Sequence, residues 1–161
     1  MKKILIATTN PGKFAEIKYF LSDLPIKIVS LTDLEIKENV EETGKTFEEN
    51  AKKKAIFYSK ITGLPTIADD GGLEIDFLGG EPGVKSRRWI NGEDAGDEEL
   101  INYALKKLKG VPLKKREACL RAVLALAIPG GEIFVSEGKV RGIIAKKATS
   151  LRTPGYPFRS L

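Results

Sequence analysis

Asp69 and Asp70 stand side by side after a short apolar run and are followed by Gly71-Gly72. Adjacent carboxylates repel each other and are costly to desolvate unless a cation compensates, so the pair is a candidate for metal binding or general-base work. A turn in which aspartate accepts from backbone amides is the other reading. Upstream, Thr8-Thr9-Asn10-Pro11-Gly12-Lys13 separates a strand-like run from a helical pattern. Helix N-terminal amides, two threonine hydroxyls, Asn10 and Lys13 together suit an anion, and the same residues also suit an ordinary strand–helix turn. Glu41-Glu42, in an acidic stretch, offers hard oxygen ligands or plain solvated charge. Lys52-Lys53-Lys54 reads as a largely solvated helix face, with Lys54 one position before the core residue Ala55. Ser86-Arg87-Arg88-Trp89 fits phosphate or base contacts as well as it fits loop packing.

What is missing narrows the chemistry. The 161 residues contain no histidine and a single cysteine, Cys119. Imidazole zinc sites, Ser-His-Asp triads, Cys-His dyads and intrachain disulfides are therefore excluded. Acid–base work falls to carboxylates, lysines, tyrosines or metal-bound water. Gly44-Lys45-Thr46 has the ending of a phosphate-binding P-loop, but Asn39 stands where the leading glycine is required, and Glu38, Glu41 and Glu42 would repel phosphate.

The elements that must position these residues follow from periodicity. Lys3–Ala7 reads as a buried strand, and Gly12–Leu24 as a helix with Phe14, Ile17, Leu21 and Leu24 inward. Ile26–Leu31 is strand-like, and Asp33–Gly44 is an irregular acidic loop. Thr46 and Glu49 form a capping box that opens a helix with Phe47, Ala51, Ala55, Tyr58 and Ile61 on one face. Thr66–Ala68 and Leu73–Phe77 read as two strands separated by Asp69–Gly72. Gly79–Gly96 is loop-rich, and a helix from Asp97 to Lys109 stops at Gly110. Glu117–Ile128 forms a hairpin with Ile133–Ser136 through Pro129-Gly130-Gly131, and Val140–Ala145 adds one more strand. Interleaved helices and strands with a late hairpin predict an α/β domain built on a mixed central sheet flanked by helices.

Residues 101–161 carry 13 Lys/Arg against 3 Asp/Glu, and residues 1–100 carry 14 against 19. A basic half suits polyphosphate or nucleic acid and an acidic half suits a divalent metal. A magnesium–nucleoside triphosphate suits both. The longest apolar run, 122–128, is far too short to span a bilayer, and the strand-like start directly after Met1 is unlike a secretory leader. One domain over 1–161, in a reducing cytoplasm and with no membrane partner, is the expectation.

Four blocks then occur together in order: ATTNPGKFAEI (7–17), EETGKTFEENAKKKA (41–55), GLPTIADDGGLEID (63–76) and GGEPGVKSRRW (79–89). With these the chain resembles the inosine triphosphate pyrophosphatase family, which hydrolyses deaminated purine nucleoside triphosphates. The resemblance spans Lys3 to about Gly142. It implies a two-lobed fold with a cleft, a cytoplasmic homodimer, Mg²⁺ as cofactor, and release of monophosphate and pyrophosphate from ITP, dITP or XTP. It further implies that Thr8, Thr9, Asn10, Pro11, Gly12 and Lys13 bind the triphosphate, with Lys54 facing it. Glu41 and Asp70 would hold the metal. Asp70 would act as general base with Asp69 in support, and Arg88 would lie beside the nucleotide.

Two departures stand out. Gly71 replaces the serine of the family's DDSG motif, leaving only its backbone amide for substrate. The family also continues beyond Leu161 with a lysine and a Ser-His-Arg element that read the purine, and Tyr156-Pro157-Phe158-Arg159 occupies the place of an aromatic-Gly-Tyr-Asp segment. Tyr156 and Phe158 would then contact the base by stacking, which tolerates any base, so weak discrimination among purines is expected. A Maf-like nucleotide pyrophosphatase and a non-catalytic basic nucleic-acid-binding module are the competing readings. The second requires the C-terminal lysines to form a footprint, whereas their place on an outer helix face and a loop predicts solvated charge and no nucleic-acid partner.

Overall fold

The computed structural model describes residues 2–161, so Met1, part of the expected 1–161 domain, lies outside the described residues. Five strands form one mixed sheet: β1 (Lys2–Ile6), β2 (Ile26–Ser30), β3 (Thr66–Ile75), β4 (Glu117–Ala127) and β5 (Ile133–Ile143), in the order β2-β1-β3-β4-β5. Strand β1 pairs in parallel with β2 (Ile4 beside Ile28) and with β3 (Ile6 beside Ile67). A short turn joins β4 to β5, closed by the Ile128 amide donating to the Glu132 carbonyl, and strands so joined run antiparallel. The flanking helices are α1 (Pro11–Phe20), α2 (Phe47–Thr62) and α3 (Asp97–Lys107).

The chain divides into two compact units. The first comprises the residues up to Asp70 together with Ala122–Glu137. It buries Leu5, Ile6 and Val29 of the parallel strands, Phe47, Ala51 and Ala55 of α2, and Val123 and Ala125 of β4. The second comprises Gly71–Arg121 and Gly138–Leu161, and its core gathers Leu73, Ile75, Leu100, Ala104, Leu108, Ala118, Ile144 and Phe158. Strands β3, β4 and β5 each contribute residues to both units.

Several elements differ from their sequence patterns, each for a physical reason. The aspartate–glycine segment is no turn: β3 runs unbroken through Asp69-Asp70-Gly71-Gly72. Gly72 is admitted because a side chain there would collide with Ser86, whose Oγ would sit 2.0 Å from the added Cβ. That hydroxyl accepts from the Leu73 amide at 3.0 Å and donates to the Gly83 carbonyl at 2.7 Å, so it ties the 3-10 helix Gly83–Arg88 to β3. Likewise β5 is one strand, with Glu137-Gly138-Lys139 inside it rather than between two strands. Helix α1 stops at Phe20, short of Leu24, and buries no residue fully. Tight turns follow at Ser22 and Leu24, and Pro25 disfavours helical geometry at the residue before it. Ile61 is exposed, whereas Asn50 and Ser59 are buried on the same helix.

The Gly72–Ser86 contact yields a stability expectation. Gly72→Ala forces the serine hydroxyl off its two partners, an overpacking change costing about 1–3 kcal/mol. Calorimetry should therefore record a fall in Tm of roughly 3–10 °C. An unchanged Tm would mean that Ser86 does not hold this strand.

Candidate active site

The first unit brings most of the chemistry-bearing residues to one end of the parallel strands. The two parallel connections, β1–α1–β2 and β2–α2–β3, run in opposite directions across the sheet, and connections of this kind are right-handed as a rule. Helices α1 and α2 therefore cover opposite faces. Strand β1 ends at Ile6 beside Ile67, while β3 continues to Ile75. The Thr8–Lys13 turn consequently meets β3 where Asp69 and Asp70 stand, at the reversal of strand order where open α/β sheets place ligands.

Consecutive strand residues point to opposite faces, so the two aspartates do not share a site as a repelling pair. Each has its own partner from its own helix. Lys13 Nζ of α1 lies 2.5 Å from Asp69 Oδ2, and Asn50 Nδ2 of α2 donates to Asp70 Oδ2 at 2.9 Å. The aspartates are only 6% and 7% exposed, and the cation that offsets the charge of Asp69 is the lysine ammonium.

The turn itself is more self-contained than an open anion cradle. The Asn10 side-chain oxygen caps α1, accepting from the amides of Gly12 at 2.9 Å and Lys13 at 3.3 Å. Thr8 Oγ1 accepts from the Asn10 amide at 3.2 Å, and Pro11 occupies the first helical turn, where no amide is needed. The Asn10, Gly12 and Lys13 amides, expected to meet an anion, are thus already paired within the turn. Thr8, Thr9 and Pro11 also line a pocket of about 500 Å³, whose other walls include Phe14, Thr32 and Asn39.

Helix α2 carries the acidic loop along its length in antiparallel register. The Tyr58 hydroxyl donates to the Glu38 carbonyl at 2.9 Å, and Lys54 Nζ meets Glu42 Oε1 at 2.5 Å. Lys53 Nζ donates to Thr43 Oγ1 at 2.8 Å, and Asn50 Oδ1 accepts from the Gly44 amide at 2.7 Å. Burial, with Glu38 and Glu42 nearby, raises the Tyr58 phenol above its ordinary pKa, so it remains a donor. At the helix start Thr46 Oγ1 accepts from the Glu49 amide, but the Glu49 carboxylate accepts from the Lys45 amide rather than from Thr46. The expected capping box is therefore offset by one residue. Glu41 is exposed, and it is the adjacent Glu42 that engages Lys54.

Glu41, Glu42 and Asp70 are hard oxygen donors of the kind that suit a hard divalent cation. Among the described residues no three His, Cys, Asp or Glu side chains are gathered into a ready-made metal cluster. That donor set matches Mg²⁺, which commonly takes one or two carboxylates and completes its shell with water and substrate phosphate.

The remaining sequence candidates belong to the second unit. Gly71 continues β3, and Arg88 ends the 3-10 helix, half-buried. The Tyr156 ring carries the Arg159 guanidinium 3.7 Å from its centroid, so one face is covered. Phe158 is 8% exposed, belongs to the core and meets Trp89 edge-on at 6.3 Å. That burial makes the ring part of the second unit's core. Asn50, absent from the sequence candidates, is the residue that reasoning missed. Its signal was a polar side chain at the spacing of the apolar stripe Phe47, Ala51, Ala55 and Tyr58.

The chain is 46% identical over 156 residues to a dITP/XTP pyrophosphatase of Geobacter sulfurreducens, covering 97% of this chain and 78% of that one. A dITP/XTP pyrophosphatase of Bacillus subtilis gives the same identity and coverage. A HAM1 protein from Coxiella burnetii superposes with a TM-score of 0.85 at 37% identity, covering 97% of this chain and 79% of that one. A nucleoside-triphosphatase / dITP/XTP pyrophosphatase from Mycobacterium abscessus gives 0.78 at 41% identity, covering 96% and 80%. No helix among the described residues is long and apolar enough to cross a membrane. With the match to the family's pattern extending over residues 4–157, the chain belongs to the Ham1 family.

Proposed function

We propose that this chain is a nucleoside triphosphate pyrophosphohydrolase that converts deaminated purine nucleoside triphosphates (ITP, dITP, XTP) to the monophosphate and pyrophosphate, removing them from the nucleotide pool. The observation that carries the reading is the Lys13–Asp69 pair, which joins the Thr8–Lys13 turn to the buried carboxylates of β3. The relatives above named dITP/XTP pyrophosphatase support a pyrophosphatase acting on dITP and XTP. The resemblance also supports a homodimer working in the cytoplasm, and light scattering that reads a monomer would remove the first of these.

The reaction requires a water oxygen to attack phosphorus while the bond to the bridging oxygen breaks and pyrophosphate leaves. Asp70 takes the proton from that water. Asn50 donates to Oδ2, which keeps this oxygen an acceptor and fixes the plane of the carboxylate. Lys13 and Lys54 offset charge on the polyphosphate, and the Thr8 and Thr9 hydroxyls supply neutral hydrogen bonds. Both lysines already lie against carboxylates, Asp69 and Glu42, so their ammonium groups are held in place rather than swinging freely. Mg²⁺, held by Glu41 and Asp70, would supply further positive charge to the phosphate oxygens.

Supplying ITP, dITP, XTP, ATP and GTP in turn with Mg²⁺ and identifying the products tests the reading. Pyrophosphate released from the deaminated nucleotides supports it, and orthophosphate as the product would overturn it. Asp70→Asn should lower kcat by about 10²–10⁴ by removing a general base. The fold should persist, because an asparagine oxygen still accepts from Asn50. Wild-type turnover in that variant would remove Asp70 from the reaction.

Lys13→Ala should act twice. It should raise KM by withdrawing a phosphate contact. It should also cost about 1–3 kcal/mol in denaturant unfolding, because Asp69 loses the cation that compensates its burial. Adding Asp69→Asn to Lys13→Ala should recover the stability but not the KM. Recovery of both would show that Lys13 serves Asp69 alone.

A further inference from the structure

We propose that Asn50 is a positioning residue of this site, a clamp that holds the Asp70 carboxylate and the end of the acidic loop in one frame. Asn50 is 1% exposed, in the first turn of α2, and its two amide ends serve different elements. Oδ1 accepts from the Gly44 amide at 2.7 Å, where the acidic loop ends. Nδ2 donates to Asp70 Oδ2 at 2.9 Å on β3. An amide side chain has one accepting and one donating end. Once the Gly44 N–H claims the oxygen, the NH₂ group can only face Asp70. The loop therefore determines which way the amide points, and the amide determines which carboxylate oxygen of Asp70 is engaged.

Gly44 is shaped to this contact. A Cβ added there would stand 2.6 Å from Asn50 Oδ1 and 2.8 Å from Glu49 Cβ, so the loop approaches α2 closely enough to make the bond only because residue 44 has no side chain. The other rungs of the ladder, at Tyr58, Lys54 and Lys53, keep the loop along the helix but do not reach β3. Asn50 alone among these rungs bonds both the loop and β3, and that sets it apart from packing residues such as Ala51 and Ala55.

The activity arm of the test rests on the pyrophosphohydrolase reading, and the exchange arms do not. In Asn50→Asp, an oxygen can still accept from the Gly44 amide, but nothing donates to Asp70. Hydrogen exchange at residues 41–45 should stay as slow as in wild type, while kcat falls roughly 10–100-fold with KM within about twofold. In Asn50→Ala and in Gly44→Ala the same fall in kcat should come with faster exchange at residue 44, although the second variant alters neither Asn50 nor Asp70. Because Asn50→Asp also brings a second carboxylate to Asp70, the alanine variants keep the test decisive if that protein does not fold. A purely structural role would instead lower Tm and leave the kcat of the folded fraction unchanged.

Apart from turnover, exchange of the Asn50 side-chain NH₂, followed by NMR, should be slow in wild type and at least about tenfold faster in Asp70→Ala. Wild-type kcat in Asn50→Ala, unaltered Gly44 exchange in Asn50→Ala, or unaltered Asn50 NH₂ exchange in Asp70→Ala would each overturn the clamp. A wild-type chain that releases no pyrophosphate would instead overturn the proposed reaction, and the two exchange measurements would still decide the role of Asn50.

Discussion

The alternation of side chains along a β-strand is the constraint from which the site follows. Because β3 passes straight through Asp69 and Asp70, the two carboxylates are sent to opposite faces of the sheet. Right-handed crossovers have already placed α1 on one face and α2 on the other. One aspartate is thereby committed to a lysine at the start of α1 and the other to an asparagine in the first turn of α2. A pair that would repel in a turn becomes two separately compensated groups, each nearly buried and each tied to a different helix.

That division separates the work of the two faces. On the α1 face, Asp69 steadies the lysine that follows the Thr8–Thr9 turn, with Asn10 consuming two of the helix amides as a cap. The turn is thereby held by its own hydrogen bonds. On the α2 face, Asp70 shares a frame with the acidic loop, which lies antiparallel along the helix from Glu38 to Gly44. A loop rich in carboxylates would repel itself if left to solvent. Lys53 and Lys54 hold it against α2, Lys54 through an ion pair and Lys53 through a neutral threonine.

Glycine has one use at two positions in this arrangement, and neither needs an unusual backbone angle. Gly44 and Gly72 are places where another group approaches too closely for a Cβ, Asn50 in one case and Ser86 in the other. In both, the group that approaches is a buried polar side chain that bonds the backbone, at Gly44 itself or at Leu73 beside Gly72. Small size here permits a hydrogen bond rather than a turn, and for that reason a Gly-Gly pair after two aspartates continues a strand instead of ending it.

Much of the framework was readable from residue order alone. Apolar runs marked β1, β2 and β4, the Thr46 cap marked the start of α2, and the absence of histidine left the chemistry to carboxylates, lysines, tyrosines or metal-bound water. These features are local, set within a few residues by periodicity and hydrogen-bonding type, and so a single sequence determines them. The continuity of β3 and β5 was not local. Glycines and charges that break a strand in isolation are retained when neighbouring strands and Ser86 supply the missing contacts. Nor could the sequence say that Lys13 faces Asp69, that Asn50 joins Gly44 to Asp70, or that Phe158 is core. Each of these pairings spans distant positions or depends on which face of the sheet a helix covers, and only the closed tertiary structure decides that.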